Sequence, residues 1–150
     1  MLMWGKQPIQ KTLLIAERMM RNEHYGTCAE HLRRNFKKYT SPADRARTAH
    51  HLCICCLQWA RKESGPQQRR LLVALFAMHT IGKSCLQEYM HNGSLDGWDK
   101  NHADWFLHGE FNEVYDAAYE HFGDLAADCD VQANEAIRKA PSNALALLNF

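Results

Sequence analysis

Apolar residues along this chain recur every three to four positions, and almost nowhere do they alternate with polar ones in the two-residue rhythm of a half-buried strand. The pattern predicts an all-α protein. Ile9, Leu13, Ala16 and Met20 make one stripe of a first helix from Pro8, a good first-turn residue, to about Glu23. A second helix is expected from Thr27, where Thr-Cys-Ala-Glu30 matches a capping box and Leu32, Phe36 and Tyr39 point inward. Ser41-Pro42-Ala43-Asp44 is the clearest start signal, with Ser to cap, Pro at the first helical position and an acid in the first turn. That third helix should reach about Glu63, where Gly65-Pro66 stops it.

Within 67–91, the run Leu71 to Met78 is apolar on every side, as expected of a helix surrounded by others, and it is placed at the centre of the bundle. Asn92 to Gly97 reads as a turn-rich loop. One helix or two short ones should follow from about Trp98 to Phe122, bent near Gly109. Asp124 then caps a helix to about Lys139, Pro141 ends it, and Ser142 caps a last turn through Leu148. The expectation is a single compact bundle of six to seven helices, one domain over 1–150, with a basic part (1–83) and an acidic aromatic part (84–150). The segment Asn22 to Pro42, with Tyr25, Cys28 and Leu32, resembles the second helix of a tetratricopeptide repeat, but the following helix is too long and no second copy appears. No function is carried over from it.

Charge changes the picture more than composition does. Up to Lys83 there are 15 Lys+Arg against 5 Asp+Glu, and beyond it 3 against 12, so the formal net charge of +1 conceals halves of +10 and −9. Dense fields of one sign steer partners of the other. Arg33, Arg34, Lys37 and Lys38 cover a broad side of the second helix, Arg45 and Arg47 open the third, and Arg61, Lys62, Arg69 and Arg70 bracket the turn at Gly65-Pro66. If these helices pack antiparallel, two basic clusters sit at opposite ends of one hairpin, and such a surface is the electrostatic footprint expected for nucleic-acid phosphates. The plainer reading is a solvated face partly neutralised by the acidic half. No helix-turn-helix, zinc-finger or RNA-recognition signature accompanies the charge.

Seven of the fifteen aromatics lie between Trp98 and Phe122, interleaved with acids. Trp105, Phe111, Tyr115, Ala118 and Phe122 can form a core stripe, leaving Phe106 and Tyr119 nearer the boundary. Asp99, Asp104, Glu110, Glu113, Asp116 and Glu120 then face outward. An ordinary amphipathic helix accounts for this; the sharper reading is a row of charges that imitates phosphates or meets a basic protein groove, with exposed rings as anchors.

Chemical motifs are weak. Cys53-Ile54-Cys55-Cys56 contains C-x-x-C, but Cys28, Cys85 and Cys129 supply no second pair for a zinc site, and small thiols packing a helix interface explain it better. Glu88 and His91 have the Glu-x-x-His spacing of di-iron bundles without a second copy. Asp104 and His108 read as an exposed pair, and His79 as a satisfied core histidine. Gly82-Lys83-Ser84 ends like a phosphate loop, but lies mid-helix and has Ala77 where the first glycine belongs. No nucleophile, base and orienter set is recognisable, so neither catalysis, cofactor nor metal is expected. The N-terminus does not read as a signal peptide, no apolar run approaches the roughly 20 residues of a membrane span, and unpaired cysteines suit a reducing, cytoplasmic home. The expected function is a small non-enzymatic helical protein whose basic helices contact nucleic acid as an accessory subunit of a nucleoprotein assembly. The alternative is a phage or mobile-element inhibitor or adaptor using its acidic aromatic face, or a basic face, on a host protein. A further expectation is a homo-oligomer joining the basic half of one copy to the acidic half of the next.

Overall fold

Six helices are seen in the computed structural model, which describes residues 8–92 and 109–141: α1 (Ile9–Arg21), α2 (Tyr25–Lys38), α3 (Pro42–Ala60), α4 (Gly65–Asn92), α5 (Glu110–Phe122) and α6 (Asp124–Lys139). They pack as one helical bundle, and the described residues contain no strand. The last turn expected from Ser142 and the helix expected over 98–108 lie outside the described residues.

The stripe Ile9, Leu13, Ala16 and Met20 is buried as its spacing requires, joined by Thr12. Pro8 stands just outside α1 as its N-cap. The helix ends in a Schellman motif, with the amide of His24 donating to the Met19 carbonyl (2.9 Å) and that of Glu23 to Met20 (3.0 Å). Glu23 occupies the left-handed position of that motif at φ 59°. This reversal starts α2 two residues before the capping box: Thr27 lies exposed inside the helix, and His24 precedes it without a side-chain cap.

The Ser41 signal operates as read, its hydroxyl accepting from the Asp44 amide at 3.4 Å with Pro42 in the first turn. α3 ends earlier than expected, at Ala60, and Gly65-Pro66 opens α4 rather than terminating α3. The turn between them is held by Gln68, whose amide nitrogen donates to the carbonyls of Ala60 (3.0 Å) and Glu63 (2.8 Å). Gly65 takes φ +60° there, a conformation that favours glycine.

α3 and α4 form the long antiparallel pair at the centre. The Cys53 thiol donates to the Leu75 carbonyl, Gln68 reaches Ala60, and Ala43 and Ala46 pack with Leu86 and Tyr89 at the other end. Leu71 to Met78 are all buried, so the central apolar helix stands where its composition requires. α1 and α2 pack on α3, joined by Cys28 to the Ala16 carbonyl and by a 2.6 Å bond between the Thr12 and Tyr39 hydroxyls. α5 and α6 pack on α4, and α5 also touches α3. The helix break falls at Gly123, φ +55°, which precedes α6 as its N-cap; Asp124 is the first helical residue, not the cap. α6 closes at Ala140, one residue before Pro141.

Candidate functional site

The antiparallel packing of α2, α3 and α4 brings the predicted basic residues together in two groups. At one end, the last turns of α2 meet the first turns of α3. Arg34, Lys37 and Lys38 are exposed there, and Arg33 and Arg47 are half-buried beside them. Arg45 is held inward, its Nε donating to the Tyr39 carbonyl at 2.7 Å while its guanidinium lies 5.5 Å over the Phe36 ring. It fixes the α2–α3 corner rather than standing out from it. At the other end, Arg61, Lys62, Arg69 and Arg70 are exposed around the α3–α4 turn. Lys62 pairs with Glu23 at 3.1 Å, and Arg69 donates to the Gln132 side chain at 3.1 Å. The 19 residues of α3 separate the two groups by about 28 Å.

The ion pairs Arg34–Glu30, Lys62–Glu23 and Arg138–Glu135 each stay within their own half of the sequence. They are exposed, so solvent screens them and each contributes little to stability.

On α5, Glu110, Glu113, Asp116 and Glu120 are all polar positions away from the buried stripe, and the last three fall on one side of the helix. Tyr119 is not an outward anchor. Its hydroxyl and that of Tyr115 both donate to Asp130 Oδ2 at 2.6 Å, their rings pack edge-on to Phe76, and the amide of Asn134 donates to Asp130 Oδ1 at 2.9 Å. Three donors thus hold one buried carboxylate. Burial raises the pKa of both tyrosines, an effect that hydrogen bonding to Asp130 reinforces. Asp99, Asp104 and Phe106 lie outside the described residues, as do Trp105 and His108.

Between α3 and α5 runs an open groove of about 430 Å³ lined by His50, Ile54, Leu57, Glu110, Glu113 and Val114. Its floor is apolar and its rim acidic. Buried His50 lends its Nε2–H to the Glu110 carbonyl at 3.2 Å. Desolvation, aided by His51, pushes its pKa down to about 4, so the ring is neutral at pH 7. His79 is likewise buried and depressed by desolvation, stacked 4.7 Å from Phe111 and 4.8 Å from Tyr115. Contrary to the sequence reading it is not fully satisfied, because its Nε2 has no hydrogen-bond partner.

All six cysteines are free and buried. Burial raises the thiols of Cys53 and Cys56, the latter to about 12, which opposes thiolate formation. They pack helix interfaces, as small hydrophobes do. Among the described residues no three His, Cys, Asp or Glu side chains converge as metal ligands, and Glu88 and His91 are exposed on α4. No described helix is long and apolar enough to cross a membrane.

Sequence reasoning located both charge groups but missed the groove and the Asp130 cluster. Both join residues distant in sequence, Tyr115 and Tyr119 on α5 with Asp130 on α6 and His50 on α3 with Glu110 on α5, and no local spacing announces either. No protein-family model matches the chain, and no match was found among curated proteins or solved structures.

Proposed function

We propose that this protein is a non-enzymatic cytoplasmic binding protein whose basic α2–α3 end contacts nucleic-acid phosphates, as an accessory subunit of a nucleoprotein assembly. One observation carries the reading: Arg34, Lys37 and Lys38 stand exposed on one corner, and the named ion pairs do not tie them to the acids of α5 and α6. The group around Arg61 and Arg70, about 28 Å away, offers a second contact at a distance of about eight base pairs along a duplex. Binding of this kind reads backbone charge, not sequence.

Replacing Arg34, Lys37 and Lys38 by Glu should weaken binding to DNA or RNA and lower the salt dependence by about one unit of slope for each phosphate no longer neutralised. Unchanged affinity in this variant would overturn the reading. The row Glu113, Asp116 and Glu120 on one side of α5 favours a second reading, an inhibitor or adaptor that offers this acidic face to a basic protein groove. Neutralising the row should then abolish partner capture while leaving nucleic-acid affinity intact.

A further inference from the structure

Leu14 is 65% exposed on the outer side of α1. Lys11 lies a turn before it, and Arg18 and Arg21 lie one and two turns after it, all exposed. Glu17, on the same side, is taken up by His51, its Oε1 lying 3.2 Å from Nε2, which leaves an apolar knob flanked by three cations. The α3–α5 groove has the opposite character, an apolar floor of Ile54, Leu57 and Val114 under the acidic rim of Glu110 and Glu113. Its volume of about 430 Å³ accommodates a leucine side chain with room for the stems of its neighbours.

We propose that the groove receives α1 of a second copy of this chain, with Leu14 on the floor and Arg18 and Arg21 against Glu110 and Glu113. Charge complementarity selects this occupant, because each copy carries both the knob and the groove. The cations involved belong to α1 and are not those assigned to nucleic acid, so this inference stands or falls separately. Reciprocal docking gives a dimer; one-way docking gives a ring or filament.

Light scattering on the full chain, across a range of concentrations, tests it. At low salt the mass should rise above the 17.3 kDa monomer. It should fall back as the screening length shrinks from about 30 Å at 0.01 M to about 3 Å at 1 M salt. Leu14→Asp, and separately the pair Glu110→Lys and Glu113→Lys, should each weaken association at least about tenfold. These positions lie outside the buried core, so the fold should survive, which unchanged helical circular dichroism would verify. Mixed together, the two variants should associate, since one keeps the groove and the other the knob. A wild-type chain that stays at 17.3 kDa at every concentration overturns the proposal. So does association that both variants retain, or capture of a different basic protein by a wild-type chain that remains monomeric.

Discussion

Three helices meet at Gly82, which faces Phe111 of α5 and Ala49 of α3. A Cβ there would lie 2.5 Å from Phe111 Cζ and 3.0 Å from Ala49 Cβ. Phe111 is fully buried against His50 and His79, so its ring has nowhere to retreat. Gly82→Ala should therefore destabilise the protein by about 1–2 kcal/mol, the overpacking outweighing the better helix propensity of alanine. A urea midpoint that rises instead would contradict this packing. The glycine of the Gly-Lys-Ser triplet is thus explained by a helix contact, which no local pattern in the sequence announces.

His50 couples folding to pH. The folded chain keeps the ring neutral down to about pH 4, whereas the unfolded chain protonates it near its ordinary value of 6.5. Stability contributed by the neutral ring is present above pH 6.5 and is lost as pH falls toward 4, to a total of about 3 kcal/mol. Denaturant titrations between pH 7 and 4 should show the loss, and His50→Gln should show a shallower slope. Equal slopes in the two proteins would place the acid sensitivity elsewhere.

At the level of helices, the periodicity located all six described elements, because each buries a stripe whose spacing is set by the turn of the helix itself. Boundaries followed where a side chain caps, as at Ser41, and failed where the backbone alone sets the end. The Schellman turn at Glu23 moved the start of α2, and Gly123 rather than Asp124 caps α6. The attachment of α5 to α6 was equally hidden, since Tyr115, Tyr119 and Asp130 read as ordinary amphipathic positions until the two helices are folded together. Asp130→Asn should cost about 1.5–3 kcal/mol by replacing a charged acceptor of two hydroxyl donors with a neutral one. Tyr119→Phe added to it should cost less than the two single changes summed. Strict additivity in thermal melts would show that the bonds act independently.

Over the whole molecule, the partition of charge was fully legible, since it depends on residue types and not on their arrangement. What the fold adds is its direction. α1 and α2 cover α3, α5 and α6 cover α4, and the named ion pairs do not join the two halves. The groove exists only in the folded chain, because its walls come from segments some sixty positions apart.

Binding of the intact chain to single- and double-stranded DNA and RNA, titrated from about 50 to 200 mM salt, tests the central claim most directly. The account predicts measurable affinity that falls steeply across that range and weakens when Arg34, Lys37 and Lys38 are reversed to Glu. No binding to any of these nucleic acids at the lowest salt would contradict it.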